Sequence, residues 1–321
     1  MKQDKTFFAQ LITIIFTIIF MGVLSAKADI KVVTTIKPLH SLISNVMDGI
    51  GEPSLIIEGS TSPHSFVLKP SHARLIEQAD IIFWIGEDIE TFMEKPLESI
   101  AKNAKKVSFM ELSSIEKLKF REENIFEHED HDDHGHGEKK DHDDHGDGHE
   151  GHHHGEFDAH IWLDPANAKE MLHEIAHELA DLDPANADKY ESNADNTIKS
   201  IDDMISSVSS RINKNAKFIV FHDAYQYFEK RFGVATAGAL TLNTDVLPGA
   251  KQISEIQEVI AERDIKCIFS EPQFNPKIIE TIAQDTGIKT GVLDPLGSIF
   301  DAGKSQYFTL INDLGDKLKN C

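Results

Sequence analysis

Seventeen histidines stand among the 321 residues, and ten of them crowd into residues 127–156: His128, His131, His134, His136, His142, His145, His149, His152, His153 and His154. The same tract carries twelve acidic residues and no apolar side chain. Imidazole nitrogen suits zinc, copper and nickel, and clustered carboxylates add charge attraction and harder donors. A segment of this composition cannot contribute to a core and is expected as a disordered, metal-binding loop. Such a loop binds several ions weakly and exchanges them readily, whereas a tight site needs ligands held by a packed scaffold. The tract is therefore expected to be auxiliary. The competing reading is a solvated spacer.

Position separates the seven remaining histidines. His64 lies in the Gly59–Pro70 loop after a short strand, His160 opens the segment HIWLDP, and His222 closes the apolar run KFIVFH. Ligands of open α/β sheets bind at the carboxyl ends of strands, so His64 and His222 fit a metal site between two halves of the chain. Asp294, which ends TGVLD, is a candidate for a further ligand. Glu271, in SEPQF, is a candidate to orient one. A lone histidine at a strand end is more often a hydrogen-bonded structural residue, which is the alternative for each. His40 and His72 fall inside helical patterns, as solvated or partly buried groups.

His173-Glu174-Ile175-Ala176-His177 matches H-E-x-x-H, in which two histidines on one helical face hold zinc and the glutamate acts as general base. The motif is short and the chain is rich in both residue types. The extended G-x-x-H continuation is also missing, since Glu178-Leu179-Ala180-Asp181 follows. A pair on the polar side of an amphipathic helix is the expected reading, with a zinc metallopeptidase as the alternative. No G-x-S-x-G or P-loop pattern appears, and a non-enzymatic protein is expected. Cys267 and Cys321 read first as a disulfide, with two metal-binding thiols as the alternative.

The elements that must position these groups alternate. Runs at 30–36, 55–57, 79–85, 218–221, 234–240, 267–270 and 289–293, most of them apolar throughout, read as strands, the first of them buried, and 106–110 offers a further one. Helical patterns cover 39–47, 73–78, 89–100, 165–182, 185–212, 225–231, 251–263, 276–285 and 305–318. This is the pattern of an α/β fold with parallel sheets covered by helices. Two lobes are expected, 29–183 and 214–321, joined by one long helix over 184–213, with the metal site in the cleft between them.

The amino terminus predicts the compartment. Lys2 and Lys5 precede an apolar run from Phe7 to Leu24, and Ala26-Lys27-Ala28 offers a cleavage site after Ala28. An uncleaved anchor is the alternative. The remaining chain would hold 29 basic and 53 acidic residues, a net charge of −24. That charge disfavours nucleic acid and anionic lipid as partners and attracts cations.

The segments TTIKPLHSLI (34–43), SPHSFVLKPS (62–71), ADIIFWIGEDIETFMEK (79–95), HIWLDP (160–165), FHDAYQYFEKRFG (221–233), PGA (248–250), FSEPQF (269–274) and LDPLG (293–297), with the histidine tract, carry a resemblance over nearly the whole mature chain. The sequence resembles the cluster A-I (cluster 9) metal-binding proteins of ABC importers, and among them the zinc-specific, ZnuA-like members. The resemblance implies a monomeric periplasmic protein of two lobes joined by a rigid helix. It further implies Zn2+ bound by His64, His160 and His222, a Cys267–Cys321 disulfide, and delivery to membrane permease subunits that work with an ATPase. Some zinc members place a glutamate immediately before the first histidine, where this chain has Pro63. The fourth position is then open to Asp294, water or a tract histidine.

Overall fold

The computed structural model describes residues 30–126, 155–242, 244, 246–319 and 321. The leader over 1–28 with its cleavage after Ala28, and the tract histidines His128 to His154, lie outside the described residues.

Two four-stranded parallel sheets carry the fold. In the first half β1 (Val32–Thr34), α1 (Lys37–Val46), β2 (Ser54–Leu55), α2 (Pro70–Gln78), β3 (Ile81–Trp84), α3 (Thr91–Ser99) and β4 (Lys105–Ser108) follow one another. In the second half β5 (Phe218–His222), α6 (Gln226–Phe232), β6 (Ala239–Thr241), α7 (Ala250–Glu262), β7 (Cys267–Ser270), α8 (Lys277–Thr286), β8 (Lys289–Val292) and α9 (Gln306–Leu318) do the same. The strand orders β2-β1-β3-β4 and β6-β5-β7-β8 are the same permutation. Each sheet therefore reverses its winding beside its first strand, the switch point at which open α/β sheets leave a crevice.

The central strands are buried throughout, as their unbroken apolar sequences require. The outer strands are not covered on both faces: Lys105 and Lys106 of β4 and most of β8 face solvent. In α1, Leu39, Leu42, Ile43 and Val46 repeat at helical spacing and are all buried. The helix α2 starts at Pro70, three residues before the apolar pattern indicates, because proline is pre-set for the first helical turn. The strand expected over 234–240 is shorter and later. Gly233 ends α6 in the left-handed conformation (φ 65°), and the Thr236 amide is held by Glu229 Oε2, so ladder pairing begins only where Ala239 meets Val220.

Between the sheets in the chain lie α4 (Pro165–Leu182) and the 25-residue α5 (Ala187–Arg211), which pack on each other. The long helix touches elements of both halves. Asn193 donates to the carbonyls of Val46 and Asp48, and Arg211 bonds Asn312 of α9. Gly315 lets α9 approach closely, since a Cβ there would lie 2.8 Å from Val208 Cγ1. Lys37 Nζ crosses to the carbonyls of Ser298 (2.6 Å) and Phe300 (2.9 Å), and residues Lys31–Cys321 pack as one unit. Cys267 and Cys321 are joined by a disulfide with Cα atoms 5.6 Å apart, tying the C-terminus to the start of β7. Among the described residues no helix is long and apolar enough to cross a membrane.

Candidate metal centre

Three short backbone devices place three imidazoles. His64 sits in a 3-10 turn, Pro63–Ser65, with Pro63 in its first turn and Ser62 Oγ accepting from the His64 amide at 3.3 Å. Pro63 thus brings no donor to the site but stiffens the turn that presents His64. His160 immediately precedes a second 3-10 turn, Ile161–Leu163, whose three side chains are all buried. That turn is pinned at several points. The Trp162 indole donates to the Pro295 carbonyl (2.8 Å), and Tyr307 Oη donates to the Trp162 carbonyl (2.9 Å). Asp164 caps α4 through the Ala166 amide while accepting two bonds from Arg231. His222 is the last residue of β5, at the switch point of the second sheet.

One nitrogen from each of His64, His160 and His222 lies within 4.8 Å of the other two, and among the described residues this is the group whose geometry could hold a metal ion. His160 Nε2 and His222 Nε2 are 3.3 Å apart. Two nitrogens on a tetrahedral zinc with bonds of about 2.05 Å are separated by about 3.4 Å. His160 and His222 are buried and His64 is half-buried. The cavity among the lining side chains is small, with room for about one ion or water.

Each buried imidazole is oriented from behind by a carboxylate. Asp158 Oδ1 lies 2.6 Å from His160 Nδ1 and also accepts from the His160 amide; Glu271 Oε1 lies 2.8 Å from His222 Nδ1. A carboxylate at Nδ1 places the proton there and leaves the Nε2 lone pair directed forward. Burial holds His160 well below the ordinary imidazole range, and neighbouring His222 adds to the effect. Burial pulls His222 the same way, but Glu271 and then Asp223 and Asp158 outweigh it, so the net shift is upward.

A polar chain supports Asp158. Gln226 Nε2 donates to Asp158 Oδ2 and Asp223 Oδ2, and Arg121 binds Asp223 (2.7 Å) and Glu229 (2.8 Å). Burial raises Asp158 and Asp223 to about 7, against the pull of the bonds they accept. Sequence reasoning missed Asp158, Gln226 and Arg121. The spacing Asp158-x-His160 was the available signal for the first; no local signal marks the others, since Gln226 meets Asp158 across 68 residues and Arg121 meets Asp223 across 102.

Asp294 stands outside the imidazole group. It is buried, and its two oxygens accept from Gln273 Nε2, the Leu296 amide, the Ser298 amide and Ser298 Oγ. Four donors use the lone-pair sites that a carboxylate has. Glu271 does lie against a ligand candidate, as a partner of His222. His173 and His177 are exposed on α4, with His177 Nε2 3.9 Å from Asp181, and they join no metal-holding group among the described residues. His40 and His72 make local bonds, to the Pro53 carbonyl and the Lys69 amide.

The fold and site define a class: an α/β protein of two parallel sheets with a three-imidazole group, two of its rings buried, beside the carboxyl end of β5. The chain belongs to the ZnuA family, "Zinc-uptake complex component A periplasmic", whose model matches residues 32–321. It is 44% identical over 303 residues to the high-affinity zinc uptake system protein ZnuA of Brucella abortus (strain 2308), covering 90% of this chain and 91% of that one. Its structure resembles a crystal structure of ZnuA, with a TM-score of 0.72, 21% identity, and coverage of 92% of this chain and 99% of that one. A ZnuA deletion mutant with zinc bound matches at a TM-score of 0.71 and 22% identity, over 91% of this chain and 98% of that one.

Proposed function

We propose that this protein is the periplasmic zinc-binding component of an ABC zinc importer, holding Zn2+ on the Nε2 atoms of His64, His160 and His222. The observation that carries the reading is the approach of two Nε2 lone pairs to 3.3 Å in a buried cavity. With Asp158 and Glu271 occupying both Nδ1 positions, two such lone pairs repel unless a cation lies between them. Nitrogen-rich coordination favours zinc over manganese, which prefers more carboxylate oxygen. The membership in a zinc-uptake family supports the same cargo. A monomer would deliver the ion to the permease subunits, where movement of the two halves separates the ligands that each contributes. The protein does no bond chemistry on this reading, and the histidine tract acts as an auxiliary collector.

The test is zinc titration calorimetry of the wild type beside His222→Ala and His160→Ala. One tight site is expected in the wild type and its loss in each variant, with His173→Ala/His177→Ala unchanged. Tight binding retained by both single variants would place the site elsewhere, and its loss in the α4 double variant would restore the H-E-x-x-H reading.

A further inference from the structure

Besides imidazoles and carboxylates, two polar side chains, Ser62 and Gln273, wall the cavity, and Ser62 Oγ already accepts from the His64 amide. Gln273 lies in the loop after β7, beside His64, His160, His222 and Glu271. Its amide cannot turn freely. Nε2 donates to Asp294 Oδ1 at 2.8 Å and to Ser298 Oγ at 3.4 Å. Asp294 is itself locked by the Leu296 and Ser298 amides and by Ser298 Oγ. An acceptor-only carboxylate at that end dictates which way the amide lies: nitrogen toward Asp294, oxygen away from it. The oxygen so directed, Oε1, is buried and makes no hydrogen bond among the described residues. An amide oxygen left in that state is unfavourable unless a ligand engages it.

We propose that Gln273 sets the metal preference of this site, its Oε1 engaging the fourth coordination position as a neutral oxygen while Asp294 holds the amide in place. This rests on the reading that the three histidines bind the ion. Of the candidates that the sequence leaves for that position (Asp294, water or a tract histidine), the first is thereby sorted. Pro63 offers no donor, and Asp294 spends its lone pairs on other partners, so the negative oxygen stays one residue removed from the ion. Three neutral imidazoles and an amide oxygen make a site that suits zinc. A carboxylate at the same point would add a hard, charged donor and improve the site for manganese. The engagement is with the ion or with a water that it carries, and both uses require the same oxygen.

Two variants test this. Gln273→Leu removes the oxygen. The paired exchange Gln273→Glu with Asp294→Asn keeps a hydrogen bond between the two side chains but turns the inward oxygen into a carboxylate. Zn2+ and Mn2+ affinities would be measured by competition with a chromophoric chelator, alongside Co2+ absorption spectra and melting of the metal-free proteins. We expect Gln273→Leu to weaken zinc about 10–100-fold and to shift the Co2+ bands, with melting of the metal-free protein preserved. The paired exchange should raise the Mn2+ affinity relative to Zn2+ by tenfold or more, and it reports independently if Gln273→Leu folds poorly. Unchanged affinities and spectra in both, with His222→Ala still abolishing zinc binding, would overturn the role of Gln273 and leave the histidine site standing. Zinc retained by His222→Ala would overturn both.

Discussion

His160 and His222 lie 62 residues apart in the chain, on opposite sides of α4 and α5, yet their Nε2 atoms are 3.3 Å apart, each ring backed at Nδ1 by its own carboxylate. On the function proposed above, the pair receives a positive charge. A proton shared between the rings satisfies it in acid, and a metal ion satisfies it otherwise, so the two compete.

Zinc uptake should therefore release protons. The His222 imidazole is raised above its usual value, so part of it is protonated near neutral pH, and zinc must displace that proton. Calorimetry at pH 6.5 in buffers of different ionisation enthalpy should show release of up to about one proton per zinc, and apparent affinity should fall as pH falls. Binding without proton release would show that His222 carries no proton in the apo protein.

Asp158→Asn keeps the size of the side chain but removes the charge that fixes the His160 tautomer. Zinc affinity should drop about 10–100-fold while the metal-free protein melts no lower, because one member of a crowded acidic group has been neutralised. An unchanged affinity would mean that backbone placement alone orients His160.

Glu90 gives a stability prediction away from the ligands. Its fully buried carboxyl accepts from the Ile85 and Gly86 amides, and burial, partly offset by Thr35 and those amides, raises it from 4.5 to about 7. Below pH 4.5 the group is protonated in both folded and unfolded states and contributes nothing. As pH rises to about 7 the unfolded chain ionises first, and the folded state becomes destabilised by on the order of 3 kcal/mol. Glu90→Gln should remove that slope. Urea unfolding at pH 5 and pH 8 would show the variant gaining on the wild type at the higher pH. A constant difference would indicate that Glu90 is ionised in both states.

The Cys267–Cys321 disulfide closes a loop of 54 residues. The chain-entropy model gives about 4 kcal/mol for that length. Cys321→Ser, or reduction of the wild type, should lower the denaturant midpoint accordingly. Zinc affinity should not change, because Cys267 starts β7 and Glu271 follows its far end. Loss of zinc binding on reduction would mean that the disulfide positions Glu271.

The histidine tract is expected to add weak sites only. The chain enters it from Phe126, whose amide bonds the Ala237 carbonyl, and leaves at Gly155, whose amide bonds Asp88. Replacing residues 127–154 by a short Gly/Ser linker should preserve one tight zinc site and abolish the weaker ones in a calorimetric titration. Disappearance of the tight site would make the tract itself the receptor.

The strands and helices could be read from the sequence because each depends on local pattern: unbroken apolar runs for strands buried on both faces, and spacings such as Leu39, Leu42, Ile43 and Val46 for one buried helical side. The errors fell where a distant partner decides the backbone. The Thr236 amide bonds Glu229, not the ladder, and Lys105, Lys106 and most of β8 are exposed. Strand-end position also singled out His64, His222, Glu271 and Asp294, and residue type together with its place after the tract singled out His160.

Only the tertiary structure decided which groups share a cavity. The sequence singles out Asp294 and not Gln273, yet the amides of Leu296 and Ser298 engage the carboxylate, while the Gln273 amide oxygen has no partner among the described residues. Arg121 reaches Asp223 across 102 residues to counter the charge behind His160. A sequence determines which chemical groups are available and the local geometry that presents them. Which lone pairs remain for an ion depends on hydrogen bonds between segments far apart in the chain, and these exist only once the two halves have packed.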